Sequence, residues 1–143
     1  MKFKIKLSNV TTYKFGGYCD SFYQISEDDI DSFKEAFSNN ENFILGRGSN
    51  VAFSDEGYEG NIINPNFNCF TYENSLSEVR VGASIFLPDL ARYYKTNKLV
   101  NAEFLIGIPG SVGGAVKMNA GAYGWEFSDI LSSIEVYNLV TKK

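Results

Sequence analysis

Histidine is missing from all 143 residues. Its absence removes Ser–His and Cys–His nucleophilic catalysis, imidazole metal sites and imidazole acid–base chemistry. It also excludes a cofactor tethered covalently through a histidine ring. Cysteine is nearly as scarce. Cys19 and Cys69 lie far apart and fit no metal or redox spacing, which reads as two free thiols in a reducing compartment. The formal charge is −4 and no stretch concentrates Lys and Arg. A nucleic-acid partner is therefore not expected, because that affinity comes mainly from cationic contacts to phosphates. Met1–Leu7, MKFKIKL, contains no apolar signal-peptide core, and no long apolar run follows it. Neither a signal peptide nor a transmembrane helix is expected, and the reading is a cytoplasmic protein with no membrane partner.

What is present begins with glycine. Six of the thirteen glycines fall between Gly107 and Gly124, almost without charge among them. Glycine weakens helices and strands, so this density points to a backbone that turns tightly and lies directly against something large and flat. The remaining composition is that of a globular chain, 44% hydrophobic and 21% charged, with twelve Phe and nine Tyr to fill a core. The length suits about one domain, able to bury about two thirds of its unfolded surface.

Periodicity orders the chain. Phe3, Ile5 and Leu7 alternate with lysines as a short strand, Thr11–Gly17 ends in a diglycine turn, and Phe22–Ile25 reads as a strand. Ser26 with Asp29 resembles a capping box ahead of a helix with Ile30, Phe33 and Phe37 on one face, closed by the polar cluster Asn39–Asn42. Phe43–Leu45 is then a strand in βαβ order, which puts the loop Gly46–Asn50 at the carboxyl end of a strand. Val51–Phe53 is a further apolar pulse, Asn61–Asn64 another strand, and Pro65 marks a subdomain boundary. Phe67–Tyr72 and Glu78–Gly82 read as antiparallel strands. A helix is predicted over Ser84–Lys95, with Phe86, Leu87, Leu90, Ala91 and Tyr94 on its apolar face. Ser128–Leu131 reads as a helical turn, Ile134–Leu139 as a final strand, and Val140–Lys143 as the start of a hairpin turn.

Two glycine loops carry the chemistry. In Leu45–Val51, LGRGSNV, two glycines one residue apart allow positive φ, and consecutive N–H groups can form a concavity suited to a pyrophosphate. Arg47 is either a charged donor or a solvent-facing side chain, and a plain turn is the competing reading of the loop. It is neither a Rossmann GxGxxG nor a Walker GxxxxGK[ST] sequence, so a dinucleotide site here belongs to another architecture. In IPGSVGGAVKMNAGAYG, residues 108–124, Ser111 can cap a short helix including Val112, Ala115 and Val116. Gly113 and Gly114 allow a backbone or a ligand ring to approach closely, and Asn119 and Tyr123 bring polar tips. A glycine-rich helix–helix contact is the alternative.

These segments together carry a resemblance. IPGSVGGAVKMNAGAYG, preceded by Ala102-Glu103-Phe104-Leu105, resembles the hallmark of the MurB family, the bacterial UDP-N-acetylenolpyruvoylglucosamine reductases. TTYKFGG resembles that family's early TT-[FY]-x-[IF]-GG element, and LGRGSNVAFSDEGYEG resembles its LGxGSNxxxSDxGxxG loop, all in the family's order over nearly the whole chain. The resemblance implies an α+β fold of the vanillyl-alcohol oxidase (PCMH) type. Residues 1–65 would form a small βαβ FAD-binding subdomain, and residues 66–143 the first part of a larger antiparallel-sheet subdomain. It implies FAD as cofactor and NADPH as co-substrate. It also implies a UDP-sugar as substrate, reduced from UDP-N-acetylenolpyruvoylglucosamine to UDP-N-acetylmuramate in peptidoglycan precursor synthesis.

By the same resemblance Gly46, Arg47, Gly48, Ser49, Asn50 and Val51 would surround the FAD pyrophosphate. Pro109, Gly110, Ser111, Val112, Gly113, Gly114, Asn119, Ala120, Gly121, Ala122 and Tyr123 would line the flavin and the rest of the dinucleotide. By the resemblance, the family's catalytic arginine, in a later strand region, and its serine and glutamate, near or within a C-terminal substrate domain absent from this chain, are expected beyond Lys143. None of Arg47, Arg80 or Arg92 stands in a matching motif, so no catalytic residue and no metal ligand is assigned. Another non-covalent flavin oxidoreductase of this architecture, or a non-catalytic flavin-binding module, is the alternative function.

Overall fold

The computed structural model describes residues 2–37, 41–73, 75 and 77–138. Strands β1 (Lys2–Phe3), β2 (Cys19–Ser26), β3 (Asn42–Ile44) and β4 (Tyr58–Asn66) form one sheet in the order β1-β2-β4-β3. Helix α1 (Ile30–Ala36) connects β2 to β3, and β4 is threaded between them, parallel to both. A parallel central strand must be apolar on both faces, and Ile62 and Ile63, neighbours of opposite facing in β4, are both fully buried. One face packs Leu7, Cys19, Phe22, Leu45 and Ile62. The other packs Tyr23, Ile25, Ala36 and Ile63 under Phe33 and Phe37. Asn61, also buried, ties the two layers by donating to Ala36 O at 2.8 Å and Asn42 Oδ1 at 3.2 Å.

Beyond Asn66 the chain builds a second core. Strands β5 (Phe70–Glu73) and β6 (Glu78–Val81) pair antiparallel, followed by α2 (Leu87–Thr96), a 3-10 turn at Glu103–Gly107, α3 (Val112–Met118) and the hairpin β7 (Gly121–Ala122) and β8 (Trp125–Glu126). Leu87, Leu90, Ala91, Phe104, Leu105, Val112, Ala115 and Phe127 interlock there. Burial pushes the Tyr94 phenol up, and the neighbouring Tyr72 and Tyr93 add to it. Both thiols are free; burial, then Glu27, raises that of Cys69. Among the described residues no helix is long and apolar enough to cross a membrane.

Four local expectations are corrected. The amino-terminal strand is only Lys2–Phe3, because Leu7 turns into a 3-10 helix (Leu7–Asn9) and buries completely. The cap of α1 is Asp29 and not Ser26: its Oδ1 accepts from Ser32 N at 3.1 Å. Helix α2 begins at Leu87, because Ser84 instead bonds Pro65 O and Phe67 N across the junction, and Phe86 is the cap residue rather than part of the apolar face. Residues 131–138 form no strand: Arg80–Glu135 and Ser132–Glu78 attach the segment to β6 through side chains, without a backbone ladder. Ile134 and Val136 are exposed there, while Tyr137 meets the Phe33 ring edge-on. Asn39 and Asn40 of the Asn39–Asn42 cluster, Leu139 and Val140–Lys143 lie outside the described residues.

Candidate functional site

The loop after β3 is held by its carbonyls. Asn64 Nδ2, from β4, donates to Leu45 O at 2.7 Å and Gly46 O at 3.1 Å, and Thr12 N donates to Gly48 O at 2.9 Å. By contrast, the N–H groups of Gly46, Arg47, Gly48, Ser49 and Asn50 reach no acceptor among the described residues. Consecutive amides with no partner among the described residues, on a backbone held through its carbonyls, leave donors available to an acceptor from outside the chain.

The other early motif makes the support. Gly48 adopts φ +67 with its Cα against Val10: an added Cβ would stand 2.2 Å from Val10 O. That Cβ would also stand 2.9 Å from Thr11 Cα, so Val10 and the start of TTYKFGG form the floor under this loop. Gly17 N donates to Ser54 O at 2.8 Å and Gly16 N to Asp55 Oδ1 at 3.4 Å, which clasps that floor to the SDEG turn.

The two glycine loops meet. A Cβ on Gly46 would stand 2.6 Å from Ser111 Oγ, and one on Gly110 would stand 3.2 Å from Ser49 Oγ. Ser111 caps α3 as expected, accepting from Gly114 N at 3.4 Å. The amides following it are engaged as well, Val112 N with Ile85 O and Gly113 N with Ala83 O. The second loop thus offers shape, and the first offers donors.

The seventeen predicted residues divide accordingly. Gly46, Arg47, Ser49 and Asn50 face outward or half outward on the donor loop, while Gly48 is buried and Val51 props the first core. Pro109 is exposed beside buried Gly110 and Ser111. Val112 belongs to the second core, and Ala120 and Ala122 pack on it. Gly113 is small because Ala83 crosses it, with a built Cβ 3.0 Å from Ala83 Cβ. Gly114 is exposed, and a built Cβ there meets only Ser111 Oγ, at 3.5 Å. Asn119, in the left-handed conformation at the end of α3, donates to Glu126 Oε2 at 2.7 Å and accepts from Ser128 N at 2.9 Å. Its polar tip is engaged within the chain. Tyr123 and Gly124 form the hairpin turn with φ 56 and 84, as a type I′ turn requires, and Gly121 is crowded by Trp125 O. Tyr123 is 86% exposed and stands over Gly107 and the shallow hollow formed with Asn101, Glu103, Phe104 and Trp125.

Sequence reasoning missed Asn64 and Phe86. No local signal marks Asn64, whose role depends on β4 running beside β3. The apolar period places Phe86 on the buried face of α2, yet the Arg47 guanidinium carbon lies 4.4 Å from its ring centroid.

A pinned loop of free amides against a small-residue wall is the geometry of a dinucleotide-binding domain outside the Rossmann class. The family model described as FAD binding domain matches residues 26–141. The chain belongs to this family, and FAD is its cofactor. It is 38% identical over 144 residues to the UDP-N-acetylenolpyruvoylglucosamine reductase of Orientia tsutsugamushi (strain Boryong), covering 96% of this chain and 48% of that relative. It is 38% identical over 133 residues to the reductase of the same name from Rickettsia massiliae, covering 90% of this chain and 44% of that relative. The crystal structure of UDP-N-acetylenolpyruvylglucosamine reductase (MurB) from Thermus caldophilus superposes with a TM-score of 0.78 at 31% identity, over 90% of this chain and 46% of that one. The chain spans about half the length of the curated relatives it matches and is similar to the FAD-binding portion of these reductases. An α+β FAD-binding fold, expected from the motifs, is what the architecture and these matches give.

The residues present fit the group. FAD carries two phosphates, and the Gly46–Asn50 amides have no competing acceptor among the described residues. A planar ring needs a wall without side chains, and Gly114 is open on its outer side.

Proposed function

We propose that this chain is the flavin-holding part of a NADPH-dependent reductase that converts UDP-N-acetylenolpyruvoylglucosamine to UDP-N-acetylmuramate, in the cytoplasm, for peptidoglycan and hence for cell shape and division. The observation that carries the reading is the free-amide loop Gly46–Asn50, braced through its carbonyls by Asn64 and Thr12. Bound FAD would supply hydride transfer between nicotinamide and substrate. This chain's residues bind and orient. The loop amides hold the diphosphate, Arg47 lowers its charge, and Ser49 and Asn50 offer hydroxyl and amide groups that have no partner among the described residues. Pro109–Gly114 and Asn119–Tyr123 form the wall, in which Gly114 admits a ring face and Asn119 braces the hairpin that presents Tyr123. In this reading residues 1–65 and 66–143 are two subdomains with the dinucleotide at their junction, and no side chain described here carries a catalytic role.

The test is a titration of the purified chain with FAD, followed by flavin absorbance and fluorescence, then anaerobic addition of NADPH with and without the UDP-sugar. Saturable binding that FMN does not match is expected, since FMN lacks the diphosphate. Equal affinity for FAD and FMN would overturn the assignment of the loop.

A further inference from the structure

The Arg47–Phe86 pair joins the donor loop to the start of α2. We propose that Phe86 is a positioning residue for the dinucleotide's diphosphate, acting by holding the Arg47 guanidinium at the lip of the amide loop. The inference rests on the reading that the Gly46–Asn50 amides receive that diphosphate.

Three observations carry it. First, charge is scarce: Arg47 is the sole cation from Leu45 to Val51, and none lies from Ile108 to Val116. Within these two segments a diphosphate would meet one guanidinium. Second, that guanidinium lies over the Phe86 ring, 4.4 Å from its centroid, and forms no ion pair or hydrogen bond among the described residues. A guanidinium packed on a ring face keeps its in-plane donors available, and the contact limits the rotamer freedom that a long exposed side chain otherwise retains. Third, the ring is anchored to the same segment that abuts the loop. Phe86 bridges Ser111, Leu87 N donates to Gly110 O at 3.0 Å, and Val112 N to Ile85 O at 3.0 Å. The ring, the cation and the amides thus form one continuous construction around the loop.

The experiment is a double-mutant cycle on FAD affinity, with the full chain titrated by fluorescence at low and high ionic strength and urea midpoints measured in parallel. Phe86→Leu should weaken FAD by about two- to five-fold, the range of an exposed cation–π contact. Phe86→Tyr should restore it. Arg47→Gln should weaken FAD further and flatten the ionic-strength dependence, since a lone charge near the surface is screened by salt. In the Arg47→Gln background, Phe86→Leu should have no further effect. An undiminished effect of Phe86→Leu in that background overturns the inference, as does a salt dependence that survives Arg47→Gln. If the parent chain binds FAD and Phe86→Leu binds it equally well, this inference alone fails. If the parent chain takes up no FAD, the functional reading fails and this inference with it.

Discussion

Gly46 lies so close to Ser111 that a methyl group on the glycine would stand 2.6 Å from the serine Oγ, the oxygen that accepts from Gly114 N and caps α3. Shape on one loop thereby depends on capping in the other. Gly46→Ala should force the Ser111 side chain from its capping rotamer and cost about 1 kcal/mol, the worth of an N-cap. Ser111→Ala should cost about the same, and the double variant about as much as either single one, because both remove one bond. Urea unfolding of the four proteins checks this. Strictly additive losses would mean that the contact does not couple the loops.

Gly114 separates fold from ligand. Its place is exposed, and the chain leaves room for a side chain. Gly114→Ala should hold or raise the thermal midpoint, by up to about 1 kcal/mol of stability from the lower backbone entropy of the unfolded state. Flavin affinity should nonetheless fall, because the methyl group projects into the open side. Retained affinity in a more stable protein would remove Gly114 from the site.

The opposite behaviour is expected of Gly48 and Gly121. Cβ atoms there would stand 2.2 Å from Val10 O and 2.5 Å from Trp125 O. Gly48→Val and Gly121→Val should destabilise the apo chain by several kcal/mol (about 2–4), combining backbone strain at Gly48 with overpacking at both. Their urea midpoints should drop without any flavin present.

The contrast among these glycines explains how much the sequence discloses. The motifs located both loops, because glycine at Gly46, Gly48 and Gly110 reports a close backbone approach whichever partner causes it. They did not disclose the partner. Gly48 is small because of Val10 and Gly113 because of Ala83, whereas a Cβ on Gly114 would meet nothing closer than Ser111 Oγ at 3.5 Å among the described residues. Helices α1 to α3 and strands β3, β5 and β6 each turn apolar residues to one core, while β2 and β4 read as short apolar runs because both of their faces are buried. Ile134–Val136 has the period of a strand but not its ladder, because alternation describes which side chains match a face and cannot supply a neighbouring backbone. Asn64 and Phe86 were illegible for a related reason: each acts on a loop far away in sequence, through contacts created only by strand order and by the crossing of α2 against Ser111.

Asp29 gives a dependence on pH. Hydrogen bonds from the Ser32 side chain and then its amide hold the Asp29 carboxyl below the ordinary value of 3.8. A depressed folded value means that the unfolded chain takes up the proton first as pH falls. The cap's contribution is therefore fully present above that ordinary value and is lost as pH descends through the lower folded one. Asp29→Asn retains an acceptor for Ser32 N without titrating. Its urea midpoint should fall less than the parent's between neutral pH and acid. Parallel pH profiles would show that the cap carries no linked proton.

Asn64 is the most sensitive test of the amide loop, because it acts from outside the site. Its single amide group satisfies two carbonyls, Leu45 O and Gly46 O, and so fixes the backbone at the start of the loop. Asn64→Leu keeps much of the volume and leaves both carbonyls without that donor. The loss should be about 1–3 kcal/mol in stability, with weaker FAD binding because the amides no longer share one direction. Asn64→Asp should be worse at neutral pH, where a carboxylate faces two carbonyl oxygens. It should recover partly in acid, where the protonated group can donate once again. Titrations of FAD against the parent and both variants at two pH values distinguish these outcomes. If Asn64→Asp binds as tightly as the parent at neutral pH, the orientation of the loop does not depend on its carbonyls, and the donor geometry at Gly46–Asn50 is not what selects the ligand.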